Sequence, residues 1–272
     1  MIDRLRELIG RECALAEVSA SLQDFVRTSA APVIGALEVT CSDETEAECA
    51  GAFAATFAAA NLPELKPQLR APFRTANLGA RYEVGSVRVA EQHYATHASA
   101  SAYKLMIVKI NAHVAISAGP LGPSFGPLRR YDTRSTACGA LHALLKGDKL
   151  PALEELRQTF ALDGQDRIAA LLDPTVVPPD HRFLFAAVVQ AVLQTRRAVD
   201  DIHAHPPHSP TLYVVVPCVT LNRPDAADTE LVCGCHVVDR RPGATADRYW
   251  GLADDPARLR VQTDLVRLRV EG

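Results

Sequence analysis

The chain has 272 residues, 48% of them apolar and 22% charged, with 29 basic against 32 acidic side chains. That mixture belongs to a globular protein of one large or two small domains and excludes a disordered or fibrous chain. A formal net charge of -3 provides no extended positive field to neutralise a phosphate backbone, so nucleic acid is not expected as a partner.

No apolar run reaches the roughly 20 residues that span a bilayer, and residues 1–10 carry charges where a secretion signal would be apolar. A cytoplasmic location with no membrane contact is the expectation. The 7 cysteines are odd in number. Without a secretion signal they point to reduced thiols, available as metal ligands or nucleophiles, rather than to a disulfide framework.

Leu5, Leu8, Ile9, Leu15, Val18, Leu22 and Phe25 recur at helical spacing and predict one or two amphipathic helices over residues 3–27. Residues 32–40 then form a short apolar run suited to a buried strand that ends at Cys41. The Ala-rich stretch 45–60, acidic near its start, reads as a helix. Pro63, Pro67 and Pro72 punctuate a linker, and residues 90–97 are expected to be helical.

Residues 103–110, continued by 113–116, form the clearest strand of the first half, and the Gly/Pro cluster at 119–123 ends it. A loop with Arg129, Arg130 and Arg134 leads to a helix over 136–145 that begins near Cys138. Further helices are predicted over 150–162, 165–172 and 180–202. Strands over 212–221, 230–238 and 259–270, separated by turn residues, suit antiparallel pairing. The fold class is α/β: a mostly parallel sheet flanked by helices over residues 1–148, then a helical and antiparallel β extension over 149–272 packed on it as one unit.

In an open α/β sheet, reactive groups gather at the carboxyl ends of strands and the amino ends of helices. Three ligand-type residues fall at such places. Cys41 closes the first strand, His113 lies just after the strand ending at Ile110, and Cys138 opens a helix. Two thiolates and an imidazole suit Zn2+, and three protein ligands leave the fourth tetrahedral position open, as in catalytic zinc sites. Taken singly, the same residues also read as two small buried hydrophobes and a hydrogen-bonded core histidine. Geometry separates the readings: a shared zinc requires the two sulfurs within about 5 Å, since Zn–S bonds are about 2.3 Å.

Cys41-Ser42-Asp43-Glu44 after one strand, Asn111-Ala112-His113-Val114-Ala115-Ile116 after another, and Ala137-Cys138-Gly139-Ala140 after the arginine-bearing loop resemble three signature segments in order. They are those of the limiting-CO2-inducible protein B/C family, a divergent branch of the β-class carbonic anhydrases. The resemblance covers about residues 33–145. It implies a β-carbonic-anhydrase-like core, zinc held by Cys41, His113 and Cys138, hydration of CO2 to bicarbonate, and a homodimer.

It also implies that Asp43 stands beside the metal and works with an arginine. The β-class motif carries that arginine two residues beyond the aspartate, where this chain has Thr45. Arg81 and Arg88, in the glycine-bearing segment 77–88 that resembles the family's active-site stretch, are the candidates for its place. His93 and His97 fall in a segment resembling the active-site wall, as proton shuttle or lining. Zinc lowers the pKa of water to about 7; two thiolates weaken that effect, so activity is expected to rise with pH.

Other readings stay open. Cys138 at a helix amino terminus could be a nucleophile with His113 as base and Arg129, Arg130 and Arg134 holding an anion. A zinc protein that binds CO2, bicarbonate or a protein partner with little turnover is another. Cys233-Gly234-Cys235-His236 with His203, His205 and His208 could form a second metal cluster, although alternation along a strand would point Cys233 and Cys235 together and His236 away. Cys13, Cys49, Cys218, Cys233 and Cys235 read as packing.

Overall fold

Runs such as Val33–Cys41 and Thr211–Asn222 are buried at every position, the signature of parallel strands covered by helices on both faces rather than of a half-exposed sheet. The computed structural model describes residues 3–29, 31, 33–43, 47–59, 71–95, 104–119, 122–125, 138–161, 166–177, 182–207, 209, 211–223, 227–244 and 247–251. His97, His208, Arg129, Arg130, Arg134 and the expected strand 259–270 lie outside the described residues.

In chain order the elements are α1 (Asp3–Leu8), β1 (Glu12–Ala14), α2 (Leu15–Thr28), β2 (Val33–Cys41), α3 (Ala47–Ala59), β3 (Phe73–Asn77), α4 (Ser86–Ala95), β4 (Lys104–Gly119) and β5 (Gly122–Phe125). Then come α5 (Gly139–Lys146), α6 (Glu154–Phe160), α7 (Arg167–Leu172), α8 (Arg182–Ala204), β6 (Thr211–Asn222), β7 (Thr229–Val232), β8 (Gly234–Asp239) and β9 (Arg248–Gly251).

The sheet runs β1-β7-β6-β4-β2-β3, with β5 on β4 and β8 joining β6 to β9. Strands β3, β2, β4 and β6 are mutually parallel; β1, β5, β7, β8 and β9 pair antiparallel. The mixed α/β architecture expected from the sequence is therefore present.

One strand sits differently. Residues 212–221, expected in an antiparallel extension, form β6, which runs parallel to β4 from Lys104↔Thr211 to Ala115↔Asn222. The 23-residue α8 precedes it, and a long helical crossover is what a parallel pair requires.

Alternation sorts the strand side chains onto two faces. Ile34, Ala36, Leu105, Ile107, Val214 and Val216 meet Leu22, Phe25, Phe53 and Phe57 of α2 and α3. Leu37, Val39, Met106, Val108 and Val215 meet Tyr82, α4 and the carboxyl-terminal half of α8. Farther along the same face, Ala112, Val114, Val219 and Leu221 pack under α5, α6, α7 and the start of α8.

Candidate metal centre

Cys41 is the last residue of β2. The β2–β4 pairing ends at Thr40↔Asn111, so β4 continues beyond the end of its neighbour and carries His113 alongside the terminus of β2. Cys138 caps α5 at φ 51 and ψ 67, with its carbonyl accepting the His142 N–H at 3.1 Å. A non-glycine residue in the left-handed region costs about 1–2 kcal/mol, and such strain persists where the surroundings over-determine it. The sulfurs of Cys41 and Cys138 and a ring nitrogen of His113 all lie within 4.8 Å of one another. All three residues are buried.

The site is held from several directions. The backbone after β3 turns through Gly79 at φ 67 and Ala80 at φ 55, directly behind Cys41, which pairs with Asn77. Gln190 of α8 donates to the Gly79 carbonyl at 2.8 Å, and Gln194, one turn on, accepts the Tyr82 N–H at 2.8 Å. Both amides are fully buried. On the other side, His113 Nδ1 lies 3.0 Å from Asn222 Oδ1.

The Cys41 and Cys138 thiols are hydrogen-bonded to each other. That bond is the main influence that pushes the Cys41 thiol down, against the opposing effect of burial. Cys138 is held well above the ordinary thiol range, first by donating to Cys41 and then by burial and the Cys41 charge, with the Asp43 charge contributing. A buried pair of thiols beside an imidazole is chemically suited to a borderline-soft divalent metal.

The remaining predicted residues sit around this centre as follows. Asp43 is half-buried two residues beyond Cys41. Arg81 follows the Gly79–Ala80 turn, and its guanidinium pairs with Glu155 of α6 and, at 3.7 Å, with Glu83. Arg88 and His93 lie on the exposed side of α4, where the His93 ring packs against Phe73 and Tyr94 at centroid distances of 6.2 and 5.4 Å.

Three cysteine expectations change. Strand 230–238 is interrupted at Cys233, whose N–H bonds the Pro217 carbonyl at 2.8 Å, so Cys233 packs in one core and Cys235 in the core on the opposite face. His236 instead faces Asp247, which His203 contacts at 2.5 Å. Among the described residues the metal-capable group is Cys41, His113 and Cys138. Cys49 is not simple packing: its sulfur donates to Glu230 Oε1 at 3.0 Å and accepts from Lys109 Nζ at 3.1 Å.

The sequence reading missed Gln190, Gln194, Asn222 and Asp228. Gln190 and Gln194 had a usable signal, two amides one helical turn apart on the apolar face of α8. Asn222 and Asp228 had none, since their relation to His113 depends on strand pairing.

No known family model matches this sequence, and no curated protein does. Solved structures do match. The crystal structure of PtLCIB4, a homolog of the limiting CO2-inducible protein LCIB, superposes with a TM-score of 0.59 at 15% identity, covering 91% of this chain and 99% of that one. The limiting CO2-inducible protein LCIB itself superposes with a TM-score of 0.54 at 16% identity, covering 89% and 98%. At such identity the likeness establishes the fold, and it extends beyond residues 33–145 to nearly the whole chain.

Proposed function

We propose that this protein is a zinc enzyme of the β-carbonic-anhydrase type that hydrates CO2 to bicarbonate, with Cys41, His113 and Cys138 holding the metal. The observation that carries the proposal is the buried thiol–imidazole–thiol cluster, closed to within 4.8 Å, at strand and helix ends of a chain with the limiting-CO2-inducible fold.

When bound, zinc supplies a Lewis acid that brings the pKa of a water to about 7. The chain's own residues do the rest. Cys41 and Cys138 contribute negative charge and His113 a neutral donor, while Ala112, Val114 and Leu141 in the adjoining core form the apolar wall suited to a nonpolar gas. Asp43 offers a carboxylate acceptor at the rim for the hydrogen bond of a reacting water.

Arg81 and Arg88 are the arginines we assign to Asp43, Arg81 exchanging its Glu155 partner for Asp43 in the active form. His93, exposed on α4, passes the proton to solvent. A homodimer is part of this reading, and Leu78, Val84 and Val89, large apolar side chains exposed beside Arg81 and Arg88, support it as surface for a second copy to cover. The Arg81–Glu155 pair also favours a second reading, a zinc protein with weak turnover that binds CO2 or bicarbonate.

Stopped-flow CO2 hydration on protein of measured zinc content, beside Cys138→Ser, tests the proposal. Zinc-loaded wild type is expected to be active, more so with rising pH, and Cys138→Ser to lose both zinc and activity. Fully metallated wild type with no activity from about pH 7 to about pH 9 would refute the enzyme and leave the weak-turnover reading.

A further inference from the structure

We infer that Asn222 and Asp228, at the β6–β7 turn, are positioning residues that fix the proton on His113 Nδ1 and so present Nε2 as the ligand atom. The inference rests on the metal-centre reading above and gives residues 211–232 a role in it.

The chain of contacts is direct. His113 Nδ1 lies 3.0 Å from Asn222 Oδ1. Asn222 Nδ2 donates to Asp228 Oδ2 at 3.1 Å, and Asp228 Oδ1 accepts the Arg223 backbone N–H at 3.1 Å. All three side chains are nine-tenths or more buried. A carboxylate can only accept, so Asp228 draws the NH2 of Asn222 toward itself. The amide oxygen must then face His113, and because a carbonyl oxygen cannot donate, Nδ1 must carry the hydrogen. Protonation at Nδ1 leaves the Nε2 lone pair for the metal, the arrangement in which a partner beyond the ligand orients a metal-binding histidine.

Two further contacts tie the residues flanking Asn222 and Asp228 to β1. Glu12 of β1 accepts from Thr229 Oγ1 at 2.6 Å and pairs with the Arg223 guanidinium. Strand pairing supplies the alignment: β6 runs beside β4 with His113↔Thr220 and Ala115↔Asn222 in register, so a single-residue slip would carry Asn222 to the opposite face of the sheet.

The logic of acceptor and donor gives a swap test. Asn222→Leu removes the acceptor. Asp228→Asn lets the amide turn over and offer Nδ2 to the ring. Asn222→Asp alone sets two carboxylates against each other, while Asn222→Asp with Asp228→Asn restores an acceptor for Nδ1 and a donor behind it. Zinc affinity is measured by chelator competition, with folding checked by circular dichroism, and 15N spectra of the histidine rings are recorded with and without zinc.

Wild type is expected to show a proton on His113 Nδ1 in both states. The single variants are expected to bind zinc about 10- to 100-fold more weakly, and the double variant to recover most of that loss. A bare Nδ1 in wild type, single variants within about twofold of wild-type affinity, or a double variant no better than the singles would each overturn the inference. Wild type that binds no zinc sinks the metal reading instead, and the Nδ1 proton is still scored in the metal-free spectra.

Discussion

Lys109 of β4 and Glu230 of β7 form an ion pair with side chains only 3% and 2% exposed, and this pair offers the sharpest test of how the sheet is held. The Lys109 ammonium also donates to Cys49 Sγ at 3.1 Å and lies 5.3 Å from the centroid of the Phe53 ring. Burial alone would push Lys109 down, but Cys49 and the Glu230 carboxylate beside it, with Glu38 farther off, hold it above its ordinary value. Lys109→Met keeps an unbranched stem against Phe53 and removes the charge.

Glu230 is then a buried carboxylate without its cation, and breaking such a pair costs about 3–5 kcal/mol, a large part of the 5–15 kcal/mol or so that holds a typical domain folded. Urea unfolding followed by circular dichroism measures the loss. Lys109→Met with Glu230→Gln should be less destabilised than Lys109→Met alone, since a neutral amide replaces the stranded carboxylate. A loss below about 1 kcal/mol at neutral pH, or a double variant no better than the single, would refute the reasoning.

Two further predictions concern other parts of the fold. Burial, the largest influence, raises Glu38 above the ordinary carboxylate value of 4.5 against the pull of Lys109 and Arg74. A carboxyl raised in the folded state contributes stability that is full below its unfolded pKa and lost as pH rises through the folded one, because the folded chain binds more protons in that window. Glu38→Gln is therefore expected to flatten the fall of stability above pH 4.5 in urea titrations; an unchanged slope would count against it. Gly79→Ala adds a Cβ at φ 67, 3.3 Å from Leu156 and 3.7 Å from Ala140, and should cost about 1–2 kcal/mol from the left-handed backbone. Thermal unfolding indistinguishable from wild type would show that the turn behind Cys41 is not constrained as described.

The three residues that converge, Cys41, His113 and Cys138, were legible because each follows a local signal. Cys41 ends an apolar run, His113 sits just past another, and Cys138 precedes a helix with a clear apolar face. What holds them was not legible, because it depends on which strands become neighbours. Asn222 reads as a turn residue after a strand, and only the parallel pairing of β6 with β4 sets it against His113. Lys109 and Glu230 read as isolated charges in apolar strands until β6 places β4 and β7 on either side of itself. Cys233 and Cys235 followed simple alternation on paper, but the Cys233 N–H bond to Pro217 breaks the strand between them and separates their faces. Gly234, between the two, is the residue at which a break was to be expected.

The central place of β6 also changes what the carboxyl-terminal half does. A βαβ core needs each parallel strand covered along its edges, and β4, the strand that carries His113, has β2 on one side only as far as Thr40↔Asn111. From Ala112 to Ala115 its main-chain partner is β6, which stays in register to Asn222, and β5 pairs with it only from Ile116 onward. Without β6 the backbone around His113 would present an unpaired edge, free to slip or to pair with another chain. A histidine on such an edge could not be held within the few tenths of an ångström that metal coordination demands. The strand that flanks His113 thus also delivers Asn222 to its ring, so the pairing that aligns this histidine and the hydrogen bond that orients it come from one element.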